Sequence, residues 1–118
     1  MKSRVGPLTA EFFKKCGYDD ARIRSWSGET RLLQDLGLTG DDAWDEFTAM
    51  DRDFGVDLTG FSVDRYFPPE LSRENLIVRL FGWTRAARRV RDRYPEITLD
   101  MVEATLLSKK WTHDTAER

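Results

Sequence analysis

The clearest periodic pattern in the chain lies between residues 40 and 54. Its apolar positions recur at intervals of four, three and four residues, the spacing that places side chains on one face of an α-helix. These positions are Ala43, Phe47, Met50 and Phe54. Trp44 extends this apolar face, and Gly55 stands where a helix would end. The pattern therefore predicts a helix over residues 40–54 with one side buried.

Two further helices are predicted near the ends of the chain. Residues 9–16 carry an apolar stripe that ends at Gly17. Residues 99–110 carry another stripe, and Thr98 directly before them is a suitable N-cap. The last residues, 112–118, are expected to be disordered.

The connections between these helices contain shorter patterns. Residues 18–29 form a long polar connection in which Ile23 and Trp26 are expected to anchor the loop on the core. Residues 61–67 predict a short helix or turn. Pro68 ends it, because proline disfavours helical geometry in the residue before it.

The pattern over residues 71–94 is ambiguous. Apolar residues spaced through this segment fit a helix, although Gly82 interrupts it. Residues 76–78, with the sequence Leu-Ile-Val, equally fit the start of a strand. The pattern does not decide whether residues 71–94 form a helix or a strand. The fold class predicted for the whole chain is mostly α-helical.

Composition adds the broad class of protein. The chain has 118 residues, of which 40% are hydrophobic and 34% are charged. This length suits one domain, so we predict that residues 1–118 form a single domain with three to four main helices. No apolar run is long enough for a transmembrane helix or a signal peptide. Cys16 is the only cysteine and cannot form an internal disulfide, which fits a cytoplasmic location.

The formal net charge of -2 hides two blocks of opposite sign. Residues 35–70 contain ten acidic and two basic residues, whereas residues 73–93 contain seven arginines and two acidic residues. Such asymmetry is typical of two differently used surfaces. The alternative is that the two blocks attract each other or only keep the protein in solution. The pattern does not decide between these interpretations, and it does not indicate an oligomeric state.

The basic block contains a possible patch for phosphate groups. Its arginines, with Trp83 and Tyr94 nearby, resemble a nucleic-acid site or a contact for anionic lipid headgroups. The acidic half of the chain and the sequence pI of about 5.4 argue against nucleic acid. A solvated helical face is the simpler alternative. The arginines concerned are Arg85, Arg88, Arg89, Arg91 and Arg93.

Enzymatic chemistry finds little support in the residue types. His113 is the only histidine and lies in the segment expected to be disordered. One cysteine and one histidine do not supply the ligands of a metal site, and a nucleophile paired with histidine would depend on the same tail residue. The eight glycines are scattered and form no phosphate-binding loop. We therefore predict no enzyme activity, no cofactor and no metal.

The stretch Asp35-Leu36-Gly37 before the acidic helix resembles acyl carrier proteins. In that family an Asp-Leu-Gly turn leads to a serine at the start of the second helix, and this serine carries the phosphopantetheine arm. Gly40 stands where the family has its serine, so the resemblance implies the scaffold without the carrier chemistry. Thr39 lies one residue earlier, and its hydroxyl would point about 100° away from the position of the serine.

The motifs are still closer to a family of small proteobacterial proteins of about this length. That family has Asp-Leu-Gly-x-x-Gly-Asp-Asp-Ala, a helix ending in Phe-x-Val-Asp, and a Tyr-Phe-Pro segment. Here these are Asp35-Leu36-Gly37, Gly40-Asp41-Asp42-Ala43, Phe54-Gly55-Val56-Asp57 and Tyr66-Phe67-Pro68. Glu46 departs from the pattern, since an apolar residue is expected there. Either the helix is rotated or Glu46 forms a salt bridge.

The resemblance implies a carrier-like helical bundle and, as the leading hypothesis, a protein-interaction module. Its acidic second helix would meet a basic protein partner through Asp41, Asp42, Asp45 and Asp51. The alternatives are acids that only solvate the helix, an atypical carrier modified at Thr39, and regulatory contact of residues 85–93 with nucleic acid or a membrane surface. A small apolar ligand between the helices is a further possibility.

Overall fold

The computed structural model describes residues 4–38, 40–68, 76–78, 80 and 82–113, with the side chain of Asp41 excepted. Its helices are α1 (Pro7–Lys15), α2 (Asp20–Arg24), α3 (Gly40–Phe54), α4 (Val63–Tyr66), α5 (Arg85–Asp92) and α6 (Leu99–Ser108). Residues 76–78 and 80 are also helical. Two isolated β-bridges occur, and no strand is present among the described residues. The prediction of a mostly helical protein is confirmed.

Most of the predicted helices are present. Helix α3 has the predicted bounds. Helices α1 and α6 differ from the predicted bounds by one or two residues at an end. Helix α4 ends before Phe67, because the backbone of Phe67 is extended ahead of Pro68. The long connection contains the short helix α2, which was not predicted. Residues 76–78 are helical and not a strand, and Gly82 ends this turn with a φ of +58°.

The core is formed by the predicted apolar faces together with residues from the loops. Ile23 is buried, and the ring of Trp26 lies 5.3 Å from that of Phe13, so both predicted anchors contact the core. Trp44 is different, because 58% of its surface is exposed. The prediction that it extends the buried face was wrong, since the turn of about 100° from Ala43 carries its side chain out of the core.

The N-terminus of α1 is capped by a side chain from α6. The Glu103 Oε1 atom accepts hydrogen bonds from the backbone N–H of Thr9 at 2.8 Å and from its hydroxyl at 2.9 Å. The first turn of α1 contains no acidic residue, so this carboxylate supplies the negative charge that a helix N-terminus favours. Gly6 makes the approach possible, because a Cβ there would overlap the Glu103 carboxyl group.

Helix α6 is also fixed at both of its ends. Antiparallel bonds join Leu32 N–H to Ile97 O at 2.9 Å and Leu99 N–H to Thr30 O at 2.9 Å. Beyond the other end of α6, the Asp57 N–H donates to the carbonyl of Lys109 at 2.8 Å. The loops on either side of α3 are therefore both attached to α6.

We expect Glu103→Ala to lower the free energy of unfolding by about 1–2 kcal/mol, since a helix cap is lost. Gly6→Ala should cause a similar loss, because the new methyl group displaces the same carboxylate. The double variant should then lose little more than Glu103→Ala alone. Denaturant unfolding of all three variants measures this coupling.

The control is Glu29→Ala, which removes an exposed loop glutamate and should change stability by less than about 0.5 kcal/mol. Fully additive losses for Gly6→Ala and Glu103→Ala would contradict a shared cause.

Candidate functional site

Helix α3 carries its acidic residues on two different flanks. Asp42, Asp45 and Glu46 lie on the side that faces the turn between α1 and α2. Asp51 is exposed and, at about 100° per residue, lies on the opposite flank near Trp44. The side chain of Asp41 is outside the described residues. The predicted acidic face is therefore divided into a pair of aspartates beside Glu46 and a separate aspartate beside a tryptophan.

A cleft of about 580 Å³ lies between α1, the following turn and α3. We call it the α1–α3 cleft. Phe12 and Ala49 give it an apolar base, whereas its walls carry polar and charged side chains. The groups used below are Cys16, Tyr18, Asp42, Asp45 and Glu46.

Glu46 is the partly buried carboxyl group of this cleft. The Tyr18 hydroxyl donates a hydrogen bond to its Oε2 atom at 3.1 Å. Burial raises the pKa of Glu46 to about 7, and the charges of Asp42 and Asp45 add to the rise, against the lowering effect of the Tyr18 hydrogen bond. A carboxyl group that loses solvent and lies near other negative charges holds its proton to a higher pH.

The misfit of Glu46 in the sequence pattern is explained by this contact. Within the described part of the chain, its polar partner is the Tyr18 hydroxyl and it forms no salt bridge. Burial and the charge of Glu46 in turn raise the pKa of Tyr18, so the phenol keeps its proton and remains the donor. The pair was not predicted, and the one sequence signal for it was the polar residue at an expected apolar position.

The cations around the cleft have other contacts. Arg52 pairs with Asp53 at 3.0 Å, and Arg22 lies over the ring of Tyr18 at 4.9 Å. Lys15 lies over the ring of Phe54 at 5.8 Å. Within the described part of the chain, no lysine or arginine forms an ion pair with Asp42, Asp45 or Asp51. These three acids are therefore not paired with a cation there, which leaves them accessible to a basic partner.

The lone cysteine of the cleft is poorly suited to nucleophilic chemistry. Burial raises the pKa of Cys16 to about 11, with Glu46 and Asp53 adding to the rise and Arg52 opposing it. A thiol with such a pKa remains protonated near neutral pH, whereas the thiolate is the reactive form. In the described ranges, no group of three or more His, Cys, Asp and Glu side chains is arranged to hold a metal ion.

His113 is not the fully solvated residue that was expected. Its Nε2 atom lies 3.3 Å from the Met101 carbonyl oxygen, and its ring packs edge-on against Trp111 at 4.6 Å. The rest of the tail, residues 114–118, lies outside the described residues.

Four of the five arginines assigned to the basic patch lie at the surface, and one does not. Arg85, Arg88, Arg89 and Arg93 are exposed. Arg91 is only 1% exposed, because it lies on the side of α5 that faces the interior with Ala87 and Val90. Its guanidinium group stacks over the ring of Trp83 at 3.9 Å and donates to the carbonyl of Gly82 at 2.6 Å. Burial, followed by the charge of Arg88, lowers the pKa of Arg91.

The residues that were compared with acyl carrier proteins lie just before α3 and at its first position. Gly40 is its first residue, and Thr39 is outside the described residues. Comparisons with protein-family models, curated proteins and solved structures found no match for this chain. No helix in the described ranges is long and apolar enough to span a bilayer.

Glu46→Gln should make the protein more stable at neutral and alkaline pH. The folded pKa is raised above the ordinary value of 4.5, so between these values the native state binds more protons than the unfolded state. The stability of the native protein therefore falls as pH rises through this range. The variant has no such charge and keeps an oxygen that accepts from Tyr18. Its advantage should grow from near zero at about pH 4 to as much as about 3 kcal/mol above about pH 8.

Urea unfolding across this pH range tests the prediction. Asp51→Asn is the matched control, because it removes one carboxylate from the other flank of α3. Parallel stability curves for the native protein and Glu46→Gln would show that Glu46 does not titrate in this way.

Proposed function

We propose that this chain is a non-catalytic, acyl-carrier-like interaction module that binds a basic protein partner through α3 and the α1–α3 cleft. The order of elements supports the carrier-like part. Helix α1 is followed by a long connection that contains α2, by the acidic helix α3 just after Asp35-Leu36-Gly37, by the short helix α4 and by the final helix α6, with α5 as an addition between α4 and α6. Gly40 at the start of the acidic helix has no side chain to carry a prosthetic group.

The observation that carries the proposal is a set of acids beside the cleft that form no ion pair within the described part of the chain. Asp42 and Asp45 are exposed, and Glu46 is partly buried between them and Tyr18. A lysine or arginine side chain that enters the cleft would meet carboxylates above and the apolar base below. Its alkyl chain would pack on the apolar base, and its charged group would contact the carboxylates.

Trp44 supplies an apolar contact on the same helix. It is 58% exposed, and tryptophan is among the residues that most often dominate binding energy at protein interfaces. The exposed acids of α3 would direct a basic partner toward this helix, since opposite charge accelerates encounter and fixes orientation. The partner expected is a basic, partly apolar surface such as an amphipathic helix.

A helical peptide with arginines on one side and leucines on the other is a suitable probe, acetylated and amidated so that it does not titrate near neutral pH. Asp42→Lys with Asp45→Lys should weaken its binding at least about tenfold, which corresponds to about 1.4 kcal/mol. Glu11→Lys with Asp64→Lys makes the same change of net charge on other helices and should have a much smaller effect. Fluorescence titration measures the affinity of both double variants for the peptide. Equal losses of affinity would show that the peptide is held only by nonspecific charge attraction and would contradict the proposal.

The same binding should strengthen as the pH rises from about 6 to about 8. A cation in the cleft lowers the pKa of Glu46, so binding releases a proton. Binding that releases a proton becomes stronger as the pH rises. Glu46→Gln should bind with little pH dependence. Strong binding that is independent of pH in the native protein would place the peptide outside the cleft.

A further inference from the structure

Two leucines in the segment before α5 point away from the core. Leu76 is 55% exposed and Leu80 is 68% exposed, whereas Val78 between them is buried. Residues 76–78 and 80 are helical, and the Gly82 N–H donates to the Val78 carbonyl at 3.0 Å. Residues four apart lie on one side of a helix, so the two leucines form one exposed apolar strip.

Trp83 is the next exposed apolar residue along the described part of the chain. It is 54% exposed but firmly held, because Arg91 stacks on its ring at 3.9 Å and the Arg88 guanidinium donates to its carbonyl at 3.4 Å. Its edge also packs close to Gly37, where a Cβ would lie 3.4 Å from the indole. A large aromatic side chain is therefore fixed by its neighbours while about half of its surface stays exposed.

Exposed arginines follow directly along the chain. Arg85, Arg88 and Arg89 occupy positions i, i+3 and i+4 of α5 and share its outer side. Asp92 is the acid of this helix, and it lines a second cleft together with Arg88. The basic–apolar surface is defined by Leu76, Leu80, Trp83, Arg85, Arg88 and Arg89.

The combination of side chains identifies the partner. Nucleic acid offers phosphates and flat bases, but leucine does not stack on bases, and Arg91 already covers one side of the Trp83 ring. A phospholipid bilayer offers anionic headgroups above an apolar layer, which matches arginines beside exposed leucines and an interfacial tryptophan. We propose that the basic–apolar surface docks reversibly on the surface of an anionic phospholipid bilayer.

The mode of binding follows from the size of the surface. Two leucines and one tryptophan offer too little apolar area for stable insertion, so the contact needs charge as well. The acids of α3 would be repelled by the same headgroups, which favours an orientation with the α1–α3 cleft turned away from the lipid. This inference does not depend on the proposed function, because the two use different surfaces.

Vesicle co-sedimentation tests it. The full chain should sediment with vesicles of phosphatidylglycerol and phosphatidylcholine and not with phosphatidylcholine alone, and added salt should release it. Leu76→Ser with Leu80→Ser should reduce binding at least about tenfold, and Arg85→Gln with Arg89→Gln should do the same. The controls are Leu107→Ser, an exposed leucine of α6, and Arg24→Gln with Arg65→Gln, and both should bind like the native protein.

Three outcomes would overturn the proposal. The first is no sedimentation with anionic vesicles, and the second is binding that the leucine variant leaves unchanged. The third is self-association without lipid that the leucine variant abolishes, which would assign the surface to a second copy of the chain. Circular dichroism of each variant shows whether its fold is retained, and the arginine variant tests the surface without altering the apolar strip.

Discussion

Most of the molecule is arranged around helix α6. Leu99, Val102 and Leu106 are completely buried, and the backbone just outside both ends of the helix is hydrogen-bonded to distant loops. The Glu103 carboxylate extends this role to α1 by capping its first turn. Burial of apolar area supplies most of the stabilisation in such a core, but it is not directional. The hydrogen bonds around α6 are what fix the direction of the helices packed on it.

The position of the cleft follows from these attachments. Helix α1 is held by the cap from Glu103, and the end of α3 is held by Lys109, whose ammonium group donates to the Phe54 carbonyl at 2.8 Å. A cation at a helix C-terminus is favoured by the helix dipole. The rings of Phe12 and Phe54 then meet edge-on at 5.7 Å, so α1 and α3 are packed together beside the cleft. Tyr18, in the turn after α1, and Glu46, in α3, are brought together because α1 and α3 are both fixed by α6.

This dependence explains what the sequence could and could not predict. The bounds of α3 and the N-cap at Thr98 follow from local signals, namely a regular apolar spacing and a hydroxyl before a helix. The contact between Tyr18 and Glu46 joins residues far apart in the chain and has no local signal beyond the misfit of Glu46. Arg91 was misassigned for a similar reason. From its charge alone, Arg91 is expected at the surface. It is buried because its guanidinium group stacks on the ring of Trp83.

The two oppositely charged blocks of the sequence do not neutralise each other in the described part of the molecule. The ion pairs found there are Lys14–Asp20, Arg31–Asp35, Arg31–Glu96 and Arg52–Asp53, and none joins α3 to α5. Pairing two exposed charges stabilises a fold by little, so keeping them apart costs little stability. The separation of the two charged blocks leaves α3 as an acidic helix with an exposed tryptophan. It also leaves α5 as a basic helix beside exposed leucines and a second tryptophan. Each combines charge with apolar area, and this combination, rather than the net charge of -2, is what distinguishes a binding surface from a merely soluble one.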